Sequence, residues 1–171
     1  PHEAHTDPRP FRCGNASVFC PTGSARPTAV VAVGFYTTHA SGLYEGALAL
    51  ADPRNETMSA QLLCEPGHWC RGGVKYQCPA GTFGWAHGDG DPGCGGPCAA
   101  GFRCPGHPGP PSTVANPLPC ASGSLHAHEA SSFYCPSGTG NAPRRVDSGF
   151  YTVGGGRDGN ATRTNQVRCE E

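Results

Sequence analysis

The sequence predicts a small disulfide-rich fold: tandem cysteine-rich modules with short β-hairpins in an elongated array, with little helix and no large hydrophobic core. Three observations carry this expectation: a shortage of aliphatic side chains, a dense run of cysteines, and two nested internal repeats. Leu 7, Val 9, Ile 0 and Phe 7 give 23 of 171 residues, about 13%, below the roughly 20% at which chains usually manage to fold on burial alone. Gly 26 and Pro 18 make up a further quarter of the chain, a composition that stays irregular unless something else fixes it. Residues 64 to 135 hold eight of the 11 cysteines, the density of a disulfide scaffold in an oxidising compartment. A bridge closing about 15 residues contributes roughly 3 kcal/mol in the chain-entropy model, so four or five can replace the missing core.

The longer repeat is read from matching segments. Phe19-Cys20-Pro21-Thr22-Gly23 matches Tyr134-Cys135-Pro136-Ser137-Gly138, and each is followed by Gly-Phe-Tyr-Thr, at Gly34 to Thr37 and at Gly149 to Thr152. Asn55-Glu56-Thr57 and Asn160-Ala161-Thr162 each precede a Cys-Glu pair, with Gln61 corresponding to Gln166. The second copy is ten residues shorter between Thr37 and the Asn55 equivalent, a difference that belongs in a surface loop. Within each copy, Val, Phe, Tyr and Thr point to strands. Thr28 to Thr38 is expected to pair with Met58 to Leu63, and Val146 to Val153 to return through Thr162 to Arg168. Leu43 to Ala51 is the one stretch expected to form a short helix, in the inserted loop.

The finer repeat is a cysteine quartet. Cys64, Cys70, Cys78 and Cys94 form one, and Cys98, Cys104, Cys120 and Cys135 the next, each with Gly three residues after its first and third cysteine. Cys13 and Cys20 then read as the closing pair of a preceding quartet and Cys169 as the opening of another, so the three outer cysteines are expected to await partners in neighbouring modules. The alternative is that Cys13 pairs with Cys20 and Cys169 stays unpaired. The resulting division is 1–20, the end of one cysteine-rich module; 21–63, a hairpin unit; 64–94 and 95–135, two cysteine-rich modules; 136–168, a second hairpin unit; and 169–171, the start of the next module. In Cys78-Pro79-Ala80-Gly81 the proline suits the second position of a type I turn and glycine the fourth, and Cys20 and Cys135 begin similar segments.

Cys64-Glu65-Pro66-Gly67-His68-Trp69-Cys70-Arg71-Gly72-Gly73 followed by Cys78-Pro79-Ala80-Gly81-Thr82-Phe83-Gly84 resembles the ephrin-receptor-like (EGF/TNF-receptor-like) cysteine-rich repeat. Together with Gly-Phe-Tyr-Thr, Arg163-Thr164 and Gln166, it is similar to versions arrayed in large extracellular proteins of algae and other protists, including mastigoneme-type proteins of flagellar hairs. The resemblance covers roughly residues 19 to 171 and implies an elongated rod of small disulfide-bonded modules without catalysis. The chain departs from the family at the long Cys104 to Cys120 segment. In an algal setting it makes Pro110, Pro111 and Ser112 candidates for hydroxylation and O-glycosylation; on composition alone the segment is a stiff polyproline-like spacer. Four cysteines allow three connectivities. We expect the crossed one: Cys64 with Cys78, Cys70 with Cys94, Cys98 with Cys120, Cys104 with Cys135.

Asn15, Asn55 and Asn160 stand in acceptor sequons, which points to covalent N-glycans and an extracellular location. Eight histidines invite zinc, but no Cys-x2-Cys pair is present, so neither a metal site nor any other cofactor is expected. Asp89-Gly90-Asp91 lacks the further carboxylates of a calcium loop and reads as a turn. No serine or cysteine sits in a nucleophile context, so the chain is expected not to be an enzyme. A net charge of −1 without charge blocks argues against nucleic acid, and no apolar run is long enough to span a membrane. The aromatics, among them Phe35, Tyr36, Trp69, Trp85, Phe150 and Tyr151, are expected to seal joints between modules rather than to form a ligand stripe. The expected partners are therefore neighbouring modules and copies of the same chain, in an extracellular filament, hair or coat. The alternative is a ligand-binding or adhesive receptor ectodomain.

Overall fold

Among the described residues, seven four-residue turns have a glycine of positive φ third and a bond from the fourth N–H back to the first carbonyl. They are centred on Gly23, Gly34, Gly67, Gly81, Gly101, Gly138 and Gly149, all with φ between +80° and +87°. Only glycine takes this conformation without strain, which is why the motif is legible at all. The computed structural model describes residues 16–25, 29–38, 58–106, 118–122, 131–155 and 161–170. Among these there is no helix, and all regular structure is in six two-stranded antiparallel sheets.

Strands β1 (Val18–Phe19) and β2 (Ala29–Val30) form the first pair, β3 (Phe35–Thr38) and β4 (Ala60–Leu63) the second. The third hairpin, β5 (His68–Arg71) and β6 (Val74–Gln77), turns through Gly72 and Gly73, both at positive φ. A two-residue loop of that geometry matches the twist of the flanking strands. Strands β7 (Phe102–Arg103) and β8 (Leu118–Pro119) follow, then β9 (Phe133–Tyr134) with β10 (Arg144–Arg145), and finally β11 (Phe150–Val153) with β12 (Asn165–Arg168).

The expected pairing of the two long hairpins is observed, with Phe35 opposite Leu63 and Phe150 opposite Arg168. The single strand expected over Thr28 to Thr38 is instead two. Its first part pairs with β1, the Gly34 turn intervenes, and only Phe35–Thr38 pairs with β4. The helix expected at Leu43 to Ala51 lies outside the described residues.

The turn after each Cys-Pro is also shifted. Thr82 donates to the Pro79 carbonyl and Thr139 to Pro136, so proline is first in the turn and cysteine precedes it. The glycine amide that a turn begun by cysteine would use is engaged elsewhere: Gly81 N–H donates to Cys104 and Gly138 N–H to Cys98.

The interior is largely sulfur. Of eight fully buried larger side chains, six are half-cystines, the others being Met58 and Thr37. Among the described residues, four bridges join Cys64–Cys70, Cys78–Cys94, Cys98–Cys104 and Cys120–Cys135. By the chain-entropy relation the six-residue spans contribute about 2 kcal/mol each and the longer ones about 3 kcal/mol. Cysteine-rich hairpin modules standing in for an aliphatic core are thus what the chain builds. Bridges of this kind form in an oxidising compartment.

Candidate functional site

The recurring constellation is a joint at which one turn glycine holds both ends of a disulfide. At the first joint, Cys64 N–H donates to the Gly34 carbonyl (2.9 Å) and Gly34 N–H donates to the Cys70 carbonyl (3.0 Å). On the far side, Gly88 N–H donates to the Cys64 carbonyl and Cys70 N–H to Asp89. Every main-chain polar group of the bridge is therefore paired, as burial demands. The clasp sets the two Cα atoms 5.8 Å apart, inside disulfide range.

The same four bonds recur at the second joint. Cys98 N–H donates to Gly81 and Gly81 N–H to Cys104, while Gly138 N–H donates to Cys98 and Cys104 N–H to Thr139. At the third, Gly101 accepts from Cys120 N–H and donates to the Cys135 carbonyl. These glycines explain why the crossed pairing is wrong. Cys64 and Cys70 belong to Gly34, whereas Cys78 N–H donates to Gly67, so a Cys64–Cys78 bridge would have to join two different glycine levels. At these three joints consecutive cysteines share a glycine and bond to each other, whereas Cys78 and Cys94, also bridged, take Gly67 and Asp91 separately.

Side chains reinforce the first joint. The tip of the β5–β6 hairpin lies along β3: Thr37 N–H donates to the Gly73 carbonyl, and a Cβ at Gly73 would overlap the Ala16 carbonyl. Tyr36 is 3% exposed and clusters with Cys64 and Cys70. Its hydroxyl donates to Glu65 (3.0 Å), and the Lys75 ammonium lies 4.7 Å from its ring centroid and 3.3 Å from Glu65. Burial pushes the Glu65 carboxyl up, but its own backbone N–H, the Tyr36 hydroxyl and Lys75 together outweigh this and hold it below its usual range. Trp69 stacks on Tyr76 across the same hairpin at 4.5 Å.

The longer repeat persists bond by bond. Thr37 Oγ1 donates to Ala16 as Thr152 Oγ1 does to Ser131. Ala32 N–H donates to Gln61 as Asp147 N–H does to Gln166, and Cys64 N–H to Gly34 as Cys169 N–H does to Gly149.

Among the described residues, eight of the predicted cysteines lie in the four bridges just named. Cys20 is also bonded, its partner being outside the described residues, so the expectation that it awaits another module is corrected. Cys169 is free and exposed, so within this chain it takes no part in a bridge. Cys13, Asn15, Asn55, Asn160, Pro110, Pro111 and Ser112 lie outside the described residues.

Asp89 and Asp91 serve as turn and joint groups: Asp89 offers its carbonyl to Cys70, and Asp91 Oδ1 accepts from Gly93 N–H. Among the described residues no three His, Cys, Asp or Glu side chains converge as metal ligands, and no helix is long and apolar enough to cross a membrane. Of the aromatics, Tyr36 seals a joint as expected, whereas Trp85 and Tyr151 are largely exposed.

Three participants escaped the sequence reading. The Gly72-Gly73 hairpin was signalled by two glycines between strand-forming residues. Lys75 had no local signal. Neither had Arg103, whose guanidinium donates to the Ser122 and Asn141 carbonyls. No protein-family model, no curated protein and no solved structure matches this chain.

Proposed function

We propose that this chain is part of a glycosylated extracellular scaffold, a filament, hair or coat component, in which tandem units are held by clasped disulfides. The observation that supports this reading best is the recurrence of one covalent and hydrogen-bonded joint along the chain. Rigid joints serve load-bearing and spacing. We read the role as structural rather than enzymatic.

The likeness to ephrin-receptor-like repeats and to mastigoneme-type proteins supports the same reading. So do the sequons at Asn15, Asn55 and Asn160, whose glycans would sheath the array. Negative-stain microscopy of native material is the test. Regular fibrils are expected. Monodisperse particles that bind a ligand saturably would replace the scaffold with an adhesive or receptor role. Intact-mass measurement before and after deglycosylation and reduction counts the glycans and the bridges together.

A further inference from the structure

The second copy of the long repeat carries half of a joint. Cys169 N–H donates to the Gly149 carbonyl at 2.8 Å, as Cys64 N–H does to Gly34. The other half has no counterpart: among the described residues Gly149 N–H meets no backbone carbonyl, whereas Gly34 N–H meets that of Cys70. A Cβ at Gly34 would overlap the Gly88 carbonyl, but one at Gly149 meets nothing within 4 Å. Beside Gly149 an open groove of about 580 Å³, lined by Arg145, Asp147, Ser148 and Phe150 among others, occupies the place taken in the first copy by residues 88 to 90. Tyr151, the equivalent of Tyr36, is 51% exposed against 3%. Cys169 is free and is followed by Glu170, as Cys64 is by Glu65.

We propose that Gly149, Tyr151 and Cys169 form an open docking clasp for a cysteine hairpin of the β5–β6 kind, continuing directly from Glu171 and disulfide-bonded to Cys169. The proposal rests on the tandem-module reading above and names the partner at one joint. The first copy defines that partner's chemistry. Its cysteine stands six residues beyond Cys169, as Cys70 stands beyond Cys64, and its carbonyl takes Gly149 N–H. A glycine at the hairpin tip lies along Thr152, and a lysine in the Lys75 position covers the Tyr151 ring and meets Glu170. A hairpin supplied in cis is favoured because closing so short a loop costs little entropy. Bond formation is thiol–disulfide exchange with a disulfide oxidant such as oxidised glutathione: two thiols lose two protons and two electrons, and the oxidant leaves as two thiols.

The test is the full chain with a copy of residues 67–94 placed directly after Glu171, which sets the copied Cys70 six residues beyond Cys169, produced under oxidising conditions. Non-reducing peptide mapping should link Cys169 to the copied Cys70, and amide exchange at Gly149 should slow. In the same extended chain Tyr151→Ala should make that bridge the first to open under limiting reductant. Cys169 remaining open to alkylation while the native bridges form would overturn the docking proposal and leave the scaffold reading intact; failure of the native bridges themselves would sink the scaffold reading. If the unextended chain forms stable dimers through Cys169 that bury Tyr151, the face belongs to a second copy and the proposal is wrong.

Discussion

Two stretches with nearly the same strands and turns, residues 16–64 and 131–169, end in different states. In the first, Tyr36, Cys64 and the Gly34 turn are enclosed by the following module; in the second, Tyr151, Cys169 and Gly149 face outward. Their internal hydrogen bonds match, including those of Thr37 and Thr152 and of Gln61 and Gln166. Each unit therefore sets its own backbone without help. Burial of its aromatic and completion of its disulfide come from the neighbour.

The contrast is broken most severely at the bridge. Replacing Cys64 and Cys70 by serine should lower stability by about 2–5 kcal/mol, whereas Cys169→Ser should change it by less than about 0.5 kcal/mol; chemical denaturation of the two variants measures the difference. Next is the glycine. Gly34→Ala combines a left-handed backbone with an overlap on the Gly88 carbonyl and should cost about 3 kcal/mol. Gly149→Ala has the same φ problem in open space and should cost about 1 kcal/mol, so equal losses in the two variants would deny the joint its role.

Smaller effects sharpen the comparison. Tyr36→Phe removes the bond to Glu65 and should cost about 1 kcal/mol, while Tyr151→Phe should be neutral in thermal melts. Glu65→Gln probes the ion pair. The Glu65 carboxyl is held below its ordinary 4.5, so its contribution is present above that pH and disappears as pH falls through the lowered folded value. With its side chain 46% exposed, the term is worth at most about 0.5 kcal/mol. It should show as a shallower acid limb in the variant's pH–stability curve.

How much of this was legible in the chain follows the range of the interactions. The β3–β4 and β11–β12 hairpins could be read because the two copies repeat the same strand residues and their cysteine-turn flanks. The disulfide pairing could not, because it depends on which cysteines share a glycine. Gly34 and Cys70 are 36 residues apart, and nothing in local spacing marks their contact. The turn after each Cys-Pro was placed one residue early for the same reason, since the amide of Gly81 is claimed by the distant Cys104. The aromatic expectation succeeded at Tyr36, which has a neighbour over it, and not at Tyr151, which has an identical local sequence.

The clasp is made almost entirely of peptide groups, glycine and sulfur. It places no requirement on outward side chains and little on the length of chain between its parts: Cys98 follows Gly81 by 17 residues and Cys64 follows Gly34 by 30. Selection can therefore rewrite the exterior of such a chain, lengthening a loop here or exchanging a charge there, without disturbing its skeleton. Surface identity and mechanical continuity become separate heritable properties, and one can diversify while the other stays fixed.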